Sequence, residues 1–253
     1  MSFFTDLLLA VQNGSFILVA ALVTAAVILI ALLFQRVVFK NRVQNVDRTR
    51  RITYTAMFSS IAGVLMLLEL PLFFAPGFYK LDLSELPVMI CAFFLGPLYG
   101  VIAEFLKVII HLLLKGTSTA FVGDFANFII GCTFILPASI IYHAKPSRKS
   151  ALIGLITGTL SMTVFGSAFN GLYLIPKFAM LFFPDREYTA AIQVIVGMGT
   201  AVNKHITSVR SLVMWAVVPF NLVKGILVSI VTFFIYKPIS QAMKMEFIKN
   251  KPL

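Results

Sequence analysis

Three polar residues inside apolar runs are the best candidates for chemistry in this sequence. Asn170 interrupts an apolar run near residues 150 to 175, and Asn221 and Lys224 interrupt another near 208 to 236. An unpaired amide or charge in an apolar environment is costly, so such groups usually mark a site. Asn221 and Lys224 are three positions apart, which places both on one helix face. We predict that all three residues bind one ligand. The alternative is that the asparagines bond neighbouring helices and Lys224 extends to the membrane surface.

Two further groups of polar residues have more ordinary explanations. Glu104, Lys107 and His111 are spaced i, i+3 and i+7 on one predicted helix. They could relay protons, but such residues more often neutralise one another against a neighbouring helix. Asp82 and Glu85 are three apart at the start of an apolar run, the spacing of a helix capping box. We favour neutralisation for the first group and capping for the second.

The sequence contains none of the common catalytic motifs. There is no G-x-x-x-x-G-K-[ST] phosphate-binding loop, no H-E-x-x-H helix, and no serine or cysteine nucleophile with suitable partners. Cys91 and Cys132 lie in apolar segments without a histidine or second cysteine at ligand spacing, which is typical of small buried residues. We therefore expect no enzymatic activity, no bound metal and no cofactor. Any ATP must be hydrolysed by another chain.

The composition indicates a membrane protein. Of the 253 residues, 59% are hydrophobic and 12% charged, against roughly 25% charged residues in a soluble domain. The formal net charge is +11, but the basic residues lie between and beyond the apolar runs. That distribution is typical of membrane topology, so we expect the lipid bilayer and no nucleic acid as a partner.

Seven apolar runs predict seven transmembrane helices, since each helix needs about 20 apolar residues to cross the bilayer. The runs lie near residues 15 to 36, 52 to 74, 84 to 98, 99 to 115, 121 to 143, 150 to 175 and 208 to 236. Basic residues are concentrated between 36 and 51, between 145 and 149, and in the C-terminal tail. Because positive charge favours the cytoplasmic side, we expect the N-terminus outside and the C-terminus in the cytoplasm.

Several segments resemble one family in the right order. Residues 70 to 87 resemble the first outer loop of the riboflavin-specific substrate-binding (S) subunits of energy-coupling factor (ECF) transporters. The segments 116 to 128, the surroundings of Asn170, and Pro219-Phe220-Asn221-Leu222-Val223-Lys224-Gly225 are similar to that family as well. The resemblance covers about residues 52 to 236.

This resemblance implies a polytopic all-α membrane protein with a six-helix core open to the outside. Residues 52–253 would form that substrate-binding core, and residues 1–51 would add a further N-terminal transmembrane helix and a basic cytoplasmic linker. The implied function is high-affinity riboflavin binding and uptake in a bacterial cell membrane. The implied partners are a membrane coupling subunit (EcfT) and two ECF ATPase subunits. Two alternatives stay open: an S component for another vitamin, and a proton-coupled secondary transporter.

The resemblance also assigns residues to the site. Asn170, Asn221 and Lys224 would hold the flavin ring, because its pyrimidine edge alternates carbonyl acceptors with an N–H donor. The ribityl hydroxyls would reach polar loop groups near Lys80 and residues 117 to 119. By position alone, Tyr79 and Trp215 lie near the outer boundary and are expected to anchor the protein in the interface, with stacking on the ligand as the alternative. The predicted substrate-binding residues are Asn170, Asn221, Lys224, Tyr79, Lys80, Thr117 and Thr119.

A small-residue motif of this family, Ala-x-x-x-Ala, contacts the coupling subunit. Here Ala56 and Ser60 occupy the two positions, and serine is small enough to allow close helix approach. We therefore predict a partner interface at Ala56, Ser60 and Gly63. The segment between 177 and 208 is longer than the family pattern needs, so we expect an unusual lid over the site.

Overall fold

The computed structural model describes residues 14–37 and 46–249, with side chains described from 18 to 36 and from 46 to 241. The described chain is a bundle of helices with one short hairpin. The helices are α1 (Gly14–Val37), α2 (Arg48–Leu65), α3 (Glu85–Leu95), α4 (Pro97–Lys115), α5 (Val122–Ala144), α6 (Arg148–Phe169), α7 (Ile175–Phe182), α8 (Tyr188–Val202), α9 (Val209–Leu212) and α10 (Val218–Lys249). The hairpin strands are β1 (Leu70–Pro71) and β2 (Lys80–Leu81).

Five stretches of the described residues are long and apolar enough to cross a membrane. They are Leu18–Arg36, Pro97–Lys115, Val122–Ala144, Arg148–Phe182 and Val209–Gln241. α2 is not among them because three arginines, at 48, 50 and 51, lower the hydropathy of its first turn. α3 is only 11 residues long, which is too short to span the hydrocarbon layer.

The boundaries of two predicted helices were wrong. The helix predicted from 52 to 74 ends at Leu65, and the chain then forms the antiparallel hairpin in which Leu70 pairs with Leu81. The helix predicted from 84 to 98 ends at Leu95 because Gly96 adopts a φ of 103°. Glycine tolerates this left-handed conformation because it has no Cβ, and the resulting bend lets α4 turn back along the bundle.

The long connection predicted after residue 177 contains further helices. α7 continues the direction of α6 through a π-helical turn at Asn170–Leu174, and α8 follows it. A second π-helical turn at Val213–Val217 joins α9 to α10. Such turns carry one extra residue per turn and often lie at functional sites.

The core of the bundle is built around α3. Val88, Met89, Cys91, Ala92 and Leu95 are all fully buried, and α3 packs against α2, α4, α5 and α10. A helix that is apolar on every side is expected to be surrounded by protein. Cys91 and Cys132 are both buried as free thiols, as their apolar surroundings predicted.

Close approach of α5 and α6 depends on two glycines. A Cβ at Gly154 would lie 2.5 Å from the carbonyl oxygen of Ala138, and one at Gly158 would lie 2.5 Å from that of Phe134. Any larger residue would force these helices apart, as expected for a small-xxx-small motif. α5 and α6 thereby form the most extensive helix pair of the bundle.

The N-terminal helix α1 packs on the outside of α4 and α5. Its Ala31 is fully buried there, and Val23 and Val27 pack against the same cluster. Gln35 lies beside the bend, since a Cβ on Gly96 would clash with its amide. Leu22, Leu29 and Leu33 are exposed, so this helix adds to the bundle without entering its core. Its treatment as a region separate from residues 52–253 stays a prediction.

Candidate functional site

A cavity of about 790 Å³ opens at the end of the bundle that carries the hairpin. Its volume is in the range of about 300–1,000 Å³ typical of small-molecule sites. It lies between the hairpin, the loop that joins α4 to α5, and helices α3, α4, α5, α6, α7, α8 and α10. All the predicted substrate-binding residues line it, namely Tyr79, Lys80, Thr117, Thr119, Asn170, Asn221 and Lys224.

Lys224 is held at the inner end of this cavity by two carboxylates. Its Nζ lies 3.0 Å from Asp82 Oδ2 and 3.4 Å from Glu85 Oε1. An ammonium has three N–H donors, so one donor remains for a ligand when two are directed at Asp82 and Glu85. Burial alone would raise the pKa of Asp82, but the positive charges of Lys224 and Lys107 outweigh it and lower that pKa to about 2.

Capping was therefore the wrong explanation for Asp82 and Glu85. Asp82 Oδ1 does accept hydrogen bonds from the backbone N–H and the hydroxyl of Ser84. Its second oxygen and the Glu85 carboxylate, however, pair with Lys224 across the bundle. Because the capping pattern offered an explanation for Asp82 and Glu85, their pairing with Lys224 was not predicted.

Lys107 shares Glu85 with Lys224 and also contacts Glu104 and Asn127. Its Nζ lies 2.6 Å from Glu104 Oε1 and 3.0 Å from Glu85 Oε1, and it also donates to Asn127 Oδ1 at 3.0 Å. Lys107 and Glu104 are completely inaccessible to solvent. Glu104 and Lys107 therefore form the ion pair that neutralisation requires, whereas His111, the third residue of that prediction, does not join it.

The relay predicted as an alternative does not form a continuous path here. His111 faces Asp124, with 3.7 Å between Nδ1 and Oδ1, and is not paired with Lys107 among the described residues. We call five ionisable residues at the inner end of the cavity the buried charge cluster, and three of them, Asp82, Glu85 and Lys224, line the cavity. Its members are Asp82, Glu85, Glu104, Lys107 and Lys224.

Asn170 is oriented by the hairpin and by its own helix. The Tyr79 hydroxyl donates to Asn170 Oδ1 at 2.8 Å, and Asn170 Nδ2 donates to the Gly166 carbonyl at 2.7 Å. Asn170 is the first residue of a π-helical turn. Burial raises the pKa of Tyr79, so its hydroxyl stays a donor. Tyr79 is buried, with its ring centroid 5.5 Å from that of Phe220, so it does not anchor the protein in the membrane interface.

Asn221 presents an unused donor. Only 4% of the residue is exposed, and its Nδ2 has no hydrogen-bond partner among the described residues. Gly166 faces it closely, since a Cβ there would lie 3.1 Å from Nδ2. A buried donor without a partner costs about 1–3 kcal/mol, so Asn221 is ready to bond an acceptor on a ligand.

The side walls of the cavity are aromatic and aliphatic. The helices and the hairpin both contribute apolar side chains to these walls. These apolar lining residues are Met66, Phe78, Ile130, Met162, Leu174, Phe178, Phe182, Met198 and Phe220. Such walls suit a flat apolar ring whose polar edge reaches the asparagines and Lys224.

A second set of charges lies at the entrance of the cavity. Glu69 Oε2 pairs with Lys80 Nζ at 2.7 Å and with Lys115 Nζ at 2.5 Å. Burial would raise the pKa of Glu69, but hydrogen bonds to Lys115 and Lys80 and their charges outweigh it and lower the pKa. We call Glu69, Lys80 and Lys115 the mouth cluster.

Thr117 and Thr119 shape the loop before α5. Thr117 donates from Oγ1 to Asp124 Oδ2 at 2.7 Å and accepts from the backbone N–H of Phe121, while Thr119 Oγ1 accepts from the Gly123 N–H. These bonds satisfy backbone donors at the start of a helix. Both threonines line the cavity while they hold its rim in place.

The predicted partner interface is divided by the structure. Ala56 and Ser60 lie on the exposed face of α2, where a partner helix has access. Gly63 is buried instead, because a Cβ there would lie 2.6 Å from Ile110 Cγ2 on α4. Its small size serves packing of α2 against α4 within the chain.

Comparisons with known proteins agree with this architecture. The family model described as "ECF transporter, substrate-specific component" matches residues 50–236. The riboflavin transporter RibU of Staphylococcus aureus (strain TCH60) is 31% identical over 200 residues, which are 79% of this chain and 95% of that protein. The riboflavin transporter FmnP of Bacillus subtilis (strain 168) is 30% identical over 190 residues, 75% of this chain and 91% of that protein.

A solved structure of the S component of a bacterial ECF transporter is similar as well. It is 30% identical, aligns with a TM-score of 0.58, and the alignment covers 78% of this chain and 99% of that one. The family model, the apolar spans and this shared fold agree on a multi-pass membrane protein. The chain belongs to the family of substrate-specific components of ECF transporters.

Proposed function

We propose that this chain binds riboflavin in its cavity and is the S component of an ATP-driven vitamin transporter. The observation that carries the proposal is the convergence of Asn170, Asn221 and Lys224 at the inner end of one cavity with aromatic walls. The names of the relatives, which are riboflavin transporters at 30% and 31% identity, support the same ligand.

The polar groups match the flavin pyrimidine edge. That edge alternates carbonyl acceptors with one N–H donor, and an asparagine amide offers both complements. Two donors available to a ligand are Asn221 Nδ2 and the third N–H of Lys224. Because Asp82 and Glu85 already pair with Lys224, its positive charge is compensated within the protein, so the site does not need an anionic ligand.

The two ends of riboflavin fit the two ends of the cavity. The dimethylbenzene ring suits the wall that contains Phe178, Phe220 and Leu174. The ribityl hydroxyls suit the entrance, where Lys80 and the hydroxyls of Thr117 and Thr119 offer donors and acceptors.

Titration of the purified protein with riboflavin tests this proposal. We expect flavin fluorescence to be quenched and to saturate at one riboflavin per chain. Thiamine, biotin and pantothenate should not compete, because they lack the fused ring with its pyrimidine edge. Absence of quenching at micromolar riboflavin, or displacement by another vitamin, would remove riboflavin as the ligand.

A coupling subunit (EcfT) and two ECF ATPase subunits would supply the energy. The exposed Ala56 and Ser60 on α2 are the proposed contact with the coupling subunit. Large replacements such as Ser60→Leu should lower uptake and co-purification with that subunit while riboflavin titration is unchanged. Ile153→Leu, on the exposed face of α6, is the matched control. Equal uptake by both variants would place the interface elsewhere.

The proposed orientation puts the cavity and the hairpin outside, and the basic ends of α2, α6 and α10 in the cytoplasm. The two native cysteines are buried, so a single added cysteine can be labelled selectively. We expect an impermeant thiol reagent to label Lys204→Cys in intact cells and Lys145→Cys only after permeabilisation. The reverse pattern would invert the topology.

A further inference from the structure

Asn127 on α5 lies at the cavity but was not among the predicted binding residues. Its side chain lines the cavity and is half-buried. Its Oδ1 accepts a hydrogen bond from Lys107 Nζ at 3.0 Å. The described residues record no bond from its Nδ2.

The chemistry of Lys107 determines which way this amide faces. An ammonium only donates hydrogen bonds, whereas an amide has one accepting and one donating end. The accepting oxygen of Asn127 must therefore face Lys107, since the opposite orientation would set donors against donors. The NH₂ group is left on the side of the cavity.

Lys107 is itself unable to move away. It is fully buried and is held by Glu104 at 2.6 Å and by Glu85 at 3.0 Å. Its separation from either carboxylate would leave buried charges unpaired, which costs several kcal/mol. The buried charge cluster thus maintains the orientation of the Asn127 amide.

The same cluster joins Asn127 to Lys224. Glu85 Oε1 lies 3.0 Å from Lys107 Nζ and 3.4 Å from Lys224 Nζ, so one oxygen connects the two lysines. Donors of Asn127, Lys224 and Asn221 are consequently presented from the polar inner wall of one cavity. A ligand edge that is rich in acceptors is the complement of this wall.

We propose that Asn127 is a specificity-determining binding residue whose NH₂ donates to a carbonyl oxygen or ring nitrogen of the ligand. Lys107 is the positioning residue that orients it. This inference rests on the proposed function, with the flavin as the acceptor-rich heterocycle. This role explains why the residue between Lys107 and the cavity is an amide and not a charged side chain.

Three substitutions separate this role from a purely structural one. Asn127→Asp keeps an oxygen for Lys107 but turns the cavity-facing donor into a negative acceptor. Asn127→Ala removes both the amide oxygen and the NH₂ group, and Asn127→Gln keeps an amide with an NH₂ group. If Asn127 served only as a partner for Lys107, the Asp variant would bind riboflavin better than the Ala variant. If Asn127 donates to the ligand, the Asp variant should instead bind riboflavin more weakly than the Ala variant.

The experiment is riboflavin titration of the full-length variants, with thermal unfolding of the ligand-free proteins measured in parallel. We expect the Ala variant to bind about tenfold more weakly than wild type, and the Asp variant to bind more weakly again by about tenfold. Thermal stability should run the other way, with Asp above Ala. The Gln variant should bind more tightly than Ala.

The outcomes are distinct. Binding by Asp at least as tight as by Ala, or by Gln no tighter than by Ala, overturns the role of Asn127 while riboflavin binding by wild type stands. If wild type itself fails to bind riboflavin, the proposed function falls and this inference falls with it.

Discussion

The buried charge cluster and the mouth cluster are both built from carboxylates paired with lysines, but their surroundings differ. In the first, Lys107 and Glu104 have no solvent-accessible surface. In the second, the Lys80 side chain is 44% exposed and the Glu69 side chain 23%. Surface ion pairs contribute about 0–1 kcal/mol, whereas breaking a buried pair costs about 3–5 kcal/mol.

This difference separates two tasks within one cavity. Buried pairs keep one geometry because every departure exposes an unpaired charge, so they suit the end where ligand atoms must be matched. Exposed pairs exchange readily with water, so the pairs of Glu69 with Lys80 and Lys115 can open at low cost in free energy. Specificity is therefore expected to come from the inner end, and access from the mouth.

The largest effect is expected when the buried cluster loses a central charge. Lys107→Met leaves Glu104 unpaired and Glu85 with Lys224 alone, and should destabilise the protein by about 3–5 kcal/mol. Thermal or denaturant unfolding in detergent would measure it. Lys115→Met is the matched control, expected to cost less than about 1 kcal/mol because Lys80 still pairs with Glu69. Equal losses in both variants would erase the distinction between the clusters.

A rescue experiment sharpens this result. In the double variant Lys107→Met with Glu104→Gln, one orphaned carboxylate is replaced by a neutral amide of the same shape. We expect part of the lost stability to return. No recovery would mean that packing of the lysine stem, and not its charge, is what the bundle requires.

The next effect concerns ligand binding by Lys224. Lys224→Met removes a charged donor to the ligand, which we expect to weaken riboflavin binding by about tenfold to a hundredfold. It also leaves Asp82 unpaired, so the single variant should be less stable. Lys224→Met with Asp82→Asn should recover stability but not affinity. Recovery of both would remove Lys224 from the ligand contacts, and Lys204→Met at an exposed position is the control.

A smaller effect is expected at Tyr79, which joins the hairpin to the inner end of the cavity. Tyr79→Phe deprives Asn170 Oδ1 of its donor at 2.8 Å and lets the amide turn. We expect about a fivefold loss of riboflavin affinity, from a bond worth about 1 kcal/mol. Tyr188→Phe, whose ring is half-exposed, should bind as wild type does. Unchanged affinity in the Tyr79 variant would show that Asn170 keeps its orientation through the Gly166 carbonyl alone.

Much of the inner end was accessible from the sequence because polar residues inside apolar helices are rare. Asn170, Asn221 and Lys224 interrupt long apolar runs, and all three line the cavity. The pairing of Lys224 with Asp82 could not be predicted from the sequence, because Asp82 lies 142 positions away and matches a local capping pattern. Local patterns explain a residue without reference to the chain that packs against it.

The missed elements have similar causes. Residues 66 to 74 are largely apolar, like the transmembrane helices. Hydropathy alone therefore could not distinguish the end of α2 at Leu65 and the hairpin that follows from a longer transmembrane helix. α8 has only 15 residues, which is less than a membrane span requires. Gly63 looked like part of a partner motif by spacing, but only the packing of α2 on α4 reveals its neighbour Ile110.

The smallest effect is expected at the mouth and depends on pH. Lys115 and Lys80 lower the pKa of Glu69 in the folded protein, so this carboxylate stabilises the fold above its unfolded pKa of about 4.3. That contribution is lost as the pH falls through the lower pKa that Glu69 has in the folded protein. Glu69→Gln should therefore be slightly less stable than wild type near neutral pH, by less than about 1 kcal/mol because the pairs are exposed.

The two proteins should converge in acid, once Glu69 is protonated, and also at high salt, where exposed pairs are screened. Thermal unfolding of both across this range would measure the difference, with Glu187→Gln as an exposed control. A difference that persists in acid would mean that Glu69 supports the fold through packing. The mouth would then resemble the buried charge cluster, and its pairs would no longer be free to open for a ligand.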